Sequence, residues 1–123
     1  MKKFIRSLGF AWAGIVFGVQ NERHMRIHVL VAAAVILLGA FLSLTRMEWA
    51  LLLLTMAIVI VAEMVNTAVE KVVDLASPER HALAKTAKDV AAGAVLLAAC
   101  FAVFIGFIIL GPPLWQAITA GRQ

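Results

Sequence analysis

Fourteen consecutive residues, Trp49 to Ala62, carry no charge, and the next twelve, Glu63 to Asp74, hold three acids and an amide. An uncharged run of this kind is most of a membrane-spanning helix. If the helix continues through Asp74, each residue turns it by about 100°. Glu70 then lies about 20° from Glu63, Asp74 about 20° to the other side and Asn66 about 60° away. Three acids and an amide form one narrow stripe at the end of an apolar rod. An ionised carboxylate there is costly unless it is paired, bound to a metal or facing a water-filled site. A solvated helix end accounts for Asp74 and for Glu70. It accounts poorly for Glu63, which follows Val59, Ile60, Val61 and Ala62. Acids inside a span mark function, so the stripe is the first candidate site.

The rest of the chain agrees with a membrane solvent. Of its 123 residues, 63% are hydrophobic and 15% charged, with mean hydropathy +0.98. A soluble domain is nearer about half apolar and about a quarter charged. The length allows one domain, 1–123. The net charge of +4 does not point to nucleic acid, because the basic residues flank apolar segments and no basic run is interleaved with aromatics. The single cysteine, Cys100, lies in an apolar run, where it reads as a small packing residue.

Residues 3–20 read as an amphipathic helix. Phe4, Leu8, Ala11, Trp12, Ile15 and Val19 fall within an arc of about 100°. Lys2, Lys3 and Arg6 supply charge for anionic headgroups, so the helix is expected to lie in the membrane interface. Phe10 and Phe17 sit on the opposite face. They either pack under another helix or offer a ring to a nucleotide base beside cations. Residues 20–28 read as a polar break, and 28–44, 49–74 and 83–110 as three membrane helices. Ser77-Pro78-Glu79 reads as the start of the last, with Ser77 as cap and proline at the first helical position. Gly111-Pro112-Pro113 reads as its stop. The expected fold is therefore an all-α integral membrane protein with three spans behind an interfacial helix.

Basic residues set the orientation. Five Lys/Arg precede Val29 and four lie in 71–89, against one in the 45–48 turn and one in the tail. The positive-inside rule places the N-terminus and the 71–89 connector in the cytoplasm. Glu22, Glu63, Glu70, Asp74, His81, Lys88 and Asp89 then converge at one membrane face. Few reactions suit such a set. Glu63 and Glu70 are about 10 Å apart along the axis, too far for a retaining glycosidase pair. Scattered histidines and one cysteine argue against zinc. Carboxylates holding Mg²⁺ through substrate phosphates, with a lysine on the phosphates and an acid as base, fit better. No Walker loop or kinase glycine loop is present. Metal-dependent phosphoryl transfer, a small ion or proton carrier and a structural membrane subunit all remain open on these grounds.

The segment Glu63-Met64-Val65-Asn66-Thr67-Ala68-Val69-Glu70-Lys71-Val72-Val73-Asp74 resembles the signature of the small prokaryotic lipid kinases, the diacylglycerol kinase and undecaprenol kinase family. That pattern is Glu, two residues, Asn, Ser/Thr, small, aliphatic, Glu, two residues, Val, Asp, and every position matches. His81, Ala87-Lys88-Asp89 and Ala91-Ala92-Gly93-Ala94 are similar to a second block, and Asn21-Glu22 to a third. The resemblance implies a homotrimer in the bacterial inner membrane, with active sites at the cytoplasmic face shared between subunits. It implies transfer of the ATP γ-phosphate to a lipid hydroxyl with Mg²⁺. Glu63 matches the general base and Asn66 its close supporter. Glu22 and Glu70 match the carboxylates of metal–ATP. Glu79, Arg80, His81, Lys88 and Asp89 match positions around the phosphates and sugar, and Phe10 the place of an aromatic near adenine. Glu63, His28 and Trp12 are expected beside the lipid. His28 stands where the diacylglycerol kinase branch usually carries a second acid. Histidine there, and Ala92, look like the undecaprenol kinase branch, so undecaprenol is the expected acceptor and diacylglycerol the alternative.

Overall fold

The computed structural model describes residues 1–79 and 81–121, and among these the ordered elements are all helices. They are α1 (Lys2–Asn21), α2 (Arg23–Phe41), α3 (Arg46–Ala76) and α4 (Ala82–Ala120). The last three are long and apolar enough to cross a membrane. The polar break expected over 20–28 shrinks to one residue, Glu22, with φ −103° and ψ 120°. Arg23, Met25 and Arg26 are good helix formers with no Gly or Pro among them, so α2 starts at once.

The α2–α3 turn is locally determined. Ser43 takes a left-handed φ of 52°. Thr45 caps α3 reciprocally: its hydroxyl accepts from the Glu48 N–H at 3.3 Å, and its own N–H donates to the Glu48 carboxylate at 2.8 Å. Gly39 makes the return close. A Cβ there would meet Leu44 and Trp49 side-chain atoms at 3.0 Å.

Both expected boundaries of α4 differ as well. α4 does not start at Ser77-Pro78-Glu79. α3 runs on through Ala76, and the Ser77 N–H donates to the Val73 carbonyl at 2.9 Å, so Ser77 caps the end of α3. Pro78 disfavours helical backbone in the residue before it and so ends α3 rather than opening α4. The start of α4 is set by His81, whose Nδ1 accepts from the Leu83 N–H at 3.2 Å. Nor does α4 stop at Gly111-Pro112-Pro113. Both prolines lie inside it, and helix continues to Ala120. Proline's fixed φ is itself helical; each ring still removes an N–H donor and crowds the carbonyl four residues back, a cost that transmembrane helices tolerate. Ile109 and Leu110, just before the prolines, are buried and hold this stretch against Leu52.

α3 is the shared packing surface, with α4 and α2 both laid along it. The buried cluster of Leu52, Ile109 and Leu110, with Val35, Leu38 and Met56 around it, lies toward the α2–α3 turn. Most other large apolar side chains, such as Leu30, Leu54, Leu97 and Phe104, remain exposed, as lipid-facing residues do. Cys100 is on this exposed face rather than in a packed core.

Candidate active site

The face of α3 that carries the core also carries the deepest acid. Its buried residues are Leu52, Val59, Glu63 and Thr67, spaced by seven and four. Glu63 is only 4% exposed. At 1.5 Å per residue, Glu63 lies about 21 Å along the axis from the interface anchor Trp49, inside a hydrocarbon core of about 30 Å. Glu70 is about 31 Å along, at the edge, and Asp74 about 37 Å, beyond it. The stripe therefore crosses a membrane boundary, from a buried carboxylate to more exposed acids.

Neighbouring helices meet the stripe level by level. At the deepest level, His28 of α2 places Nε2 3.1 Å from a Glu63 carboxylate oxygen. One turn on, Asn66 donates its amide N–H to Glu70 at 3.0 Å. The Asn66 carbonyl oxygen is buried without a partner among the described residues. At the junction of α1 and α2, Glu22 pairs with Lys71 at 3.3 Å. The Lys71 ammonium also lies 5.8 Å from the centroid of the Phe17 ring. Farther out, Lys88 of α4 pairs with Asp74 of α3, and Asp89 with Lys85 at 2.8 Å.

The structure thus joins Glu63 to His28, and Asn66 to Glu70. It sets Lys88, Asp89, His81 and Glu79 around one polar cavity of about 560 Å³ at the α3–α4 connector, with Lys85 and Asp74. Arg80 lies outside the described residues. Phe10 and Trp12 are 71% and 67% exposed on α1 and stand apart from these groups. Lys71 and Lys85 were not anticipated from sequence as site residues, whereas Phe17 was offered as a ring beside cations and lies against Lys71. The signal for Lys71 was present, a lone cation between Glu70 and Asp74. Among the described residues no three His, Cys, Asp or Glu side chains converge as an all-protein metal cage. A metal carried mainly by phosphates needs only one or two carboxylates. Glu70 and Glu22 suit that, and the unpartnered Asn66 carbonyl adds a hard oxygen nearby.

A second cavity, about 500 Å³ and almost wholly apolar, includes His28, the partner of Glu63, in its lining. Its walls are His28, Val31 and Val35 of α2, Met56 and Val59 of α3, and Ala102 and Gly106 of α4. The one hydroxyl on it, Thr55, donates to its own helix at the Leu52 carbonyl, 2.9 Å away, and so presents little polarity.

Comparison with known proteins then identifies the group. The profile of the prokaryotic diacylglycerol kinase family matches residues 9–110. The chain belongs to that family. Prokaryotic diacylglycerol kinase relatives include a diacylglycerol kinase from Synechocystis sp., 47% identical over 109 residues, or 88% of this chain and 62% of the relative. The chain thus spans somewhat under two thirds of that relative's length. An undecaprenol kinase from Bacillus subtilis is 37% identical over 93% of both chains. A diacylglycerol kinase from Escherichia coli K12 is 30% identical over 88% of both. The relatives carry two lipid acceptors in their names, and both are lipid kinases.

Proposed function

We propose that this chain is an ATP-dependent lipid kinase that transfers the γ-phosphate to the hydroxyl of a membrane lipid alcohol. The observation that carries the reading is a buried carboxylate, Glu63, paired across helices with His28, which lines an apolar groove, and one turn from the Asn66–Glu70 pair. Glu63 is the general base for the lipid hydroxyl, and Asn66 supports it. Glu70 and Glu22 hold the Mg²⁺ of metal–ATP, which when bound neutralises phosphate charge. Lys88, Asp89, Glu79, Arg80 and His81 surround the phosphates and sugar, and Phe10 the adenine. Trp12 and His28 lie beside the lipid. The site works at the cytoplasmic face of the inner membrane in a homotrimer. Undecaprenol is the favoured acceptor. In support, position 28 is histidine, and the Bacillus subtilis relative named undecaprenol kinase covers nearly the whole chain. The Synechocystis relative's name supports diacylglycerol as the second acceptor.

The test is turnover of labelled ATP by the purified protein in micelles, with a polyprenol, with diacylglycerol and with neither. Turnover requires Mg²⁺ and a lipid alcohol, and is faster with the polyprenol. Ion flux in liposomes without any phosphorylated lipid would replace the kinase by a carrier.

A further inference from the structure

The contact between His28 and Glu63 constrains where one proton resides. Nε2 and the carboxylate oxygen are 3.1 Å apart. Two bare acceptors at that separation repel, because an ionised carboxylate offers only lone pairs and a neutral imidazole has one nitrogen that does likewise. The pair is attractive when it holds a proton. On the oxygen, that proton makes Glu63 a carboxylic acid, unable to act as base through that atom. On the nitrogen, it leaves the carboxylate ionised.

The geometry favours the nitrogen: the His28 side chain is the less buried partner, 23% exposed against 5% for Glu63, so a proton held there is the nearer to water. Among the described residues neither His28 nor Glu63 has a second ion-pair partner. α4 offers this end of the groove only apolar side chains, Ala99, Ala102 and Val103. His24, one turn earlier on α2, is exposed.

We propose that His28 is a positioning residue for Glu63: its imidazole keeps the shared proton, orients one carboxylate oxygen and leaves the other for the acceptor hydroxyl. This rests on the reading of Glu63 as the base. In the step it serves, the lipid O–H bond breaks and its proton passes to Glu63. The lipid oxygen bonds to the γ-phosphorus, the bond from that phosphorus to the β–γ bridging oxygen breaks, and ADP leaves with the electron pair.

A double-mutant cycle tests it. The variants are His28→Leu, His28→Gln, Glu63→Gln and His28→Leu/Glu63→Gln, each checked for helix content and elution volume before kinetics. His28→Leu removes the N–H donor and lowers kcat about ten- to a hundredfold, the size expected for loss of a hydrogen bond to a charged group, with KM for ATP unchanged. His28→Gln still offers an amide N–H and recovers most of that loss. On the Glu63→Gln background, His28→Leu has no further effect on kcat, because the group it serves is gone. Equal losses in both backgrounds, or a Gln variant as poor as the Leu variant, would overturn the proposal and leave His28 as packing. Near-normal kcat in Glu63→Gln alone would instead remove the base reading on which it stands.

Discussion

Glu22, at the junction of α1 and α2, and Glu70, on the stripe of α3, share one environment. Both are half-buried, and each has a neighbour that occupies part of its carboxylate, Lys71 for Glu22 and the Asn66 amide for Glu70. A pair as exposed as Glu22–Lys71 contributes only about 0–1 kcal/mol to folding. Glu22→Gln and Glu70→Gln should therefore leave thermal stability nearly unchanged. Each should weaken magnesium–nucleotide binding by about tenfold or more, measured by titration without the lipid. Unchanged affinity in both would reassign these acids to helix anchoring. Helical periodicity alone brought Glu63, Asn66, Glu70 and Asp74 onto one face, so this part of the site was legible before any coordinates. The partners were not. That Glu63 meets His28, and Asp74 meets Lys88, depends on how far one helix slides along another, and no spacing within a helix encodes that.

At the scale of elements, the apolar rods were legible and their ends were not. Ser77-Pro78-Glu79 has the composition of a helix start, yet the last turn of α3 claims Ser77 first. Gly111-Pro112-Pro113 has the composition of a stop, yet side chains packed on Leu52 carry α4 through it. In both places packing or an adjoining hydrogen bond outweighed local propensity. The groove between α2 and α4 gives a prediction of its own. Gly106 lines it, and a Cβ added there meets nothing within 4 Å. Gly106→Leu should therefore be accepted by the fold, helped by leucine's better helix propensity. If it displaces two methylenes of a lipid tail, it costs about 1.6 kcal/mol, roughly tenfold in KM for a long-chain alcohol. KM for ATP and turnover of a short-chain alcohol should not change. Equal impairment of long and short acceptors would mean that the groove is filled by protein instead.

On the scale of the whole molecule, among the described residues every ionic contact that joins two helices gathers at one end, while the packed apolar cluster lies toward the other. By the count of Lys and Arg along the sequence, that charged end is the one expected in the cytoplasm. A reporter fused after Gln123 should then be active only outside the cytoplasm, and one inserted near Glu79 only inside it. Both on the same side would remove a span from the topology. The segregation was visible in sequence because charge is counted and does not depend on contacts.

The short α2–α3 turn bears on how this chain enters a bilayer. Four residues, Leu42 to Thr45, separate the two helices, and a reciprocal cap fixes the second one as it begins. Glu63 is an expensive passenger for a helix that partitions alone. The histidine that offsets it lies on the preceding helix, already tethered within reach. Were the two helices to enter as a closed pair, acid and partner would arrive together, and the same histidine would lower the cost of burying the carboxylate.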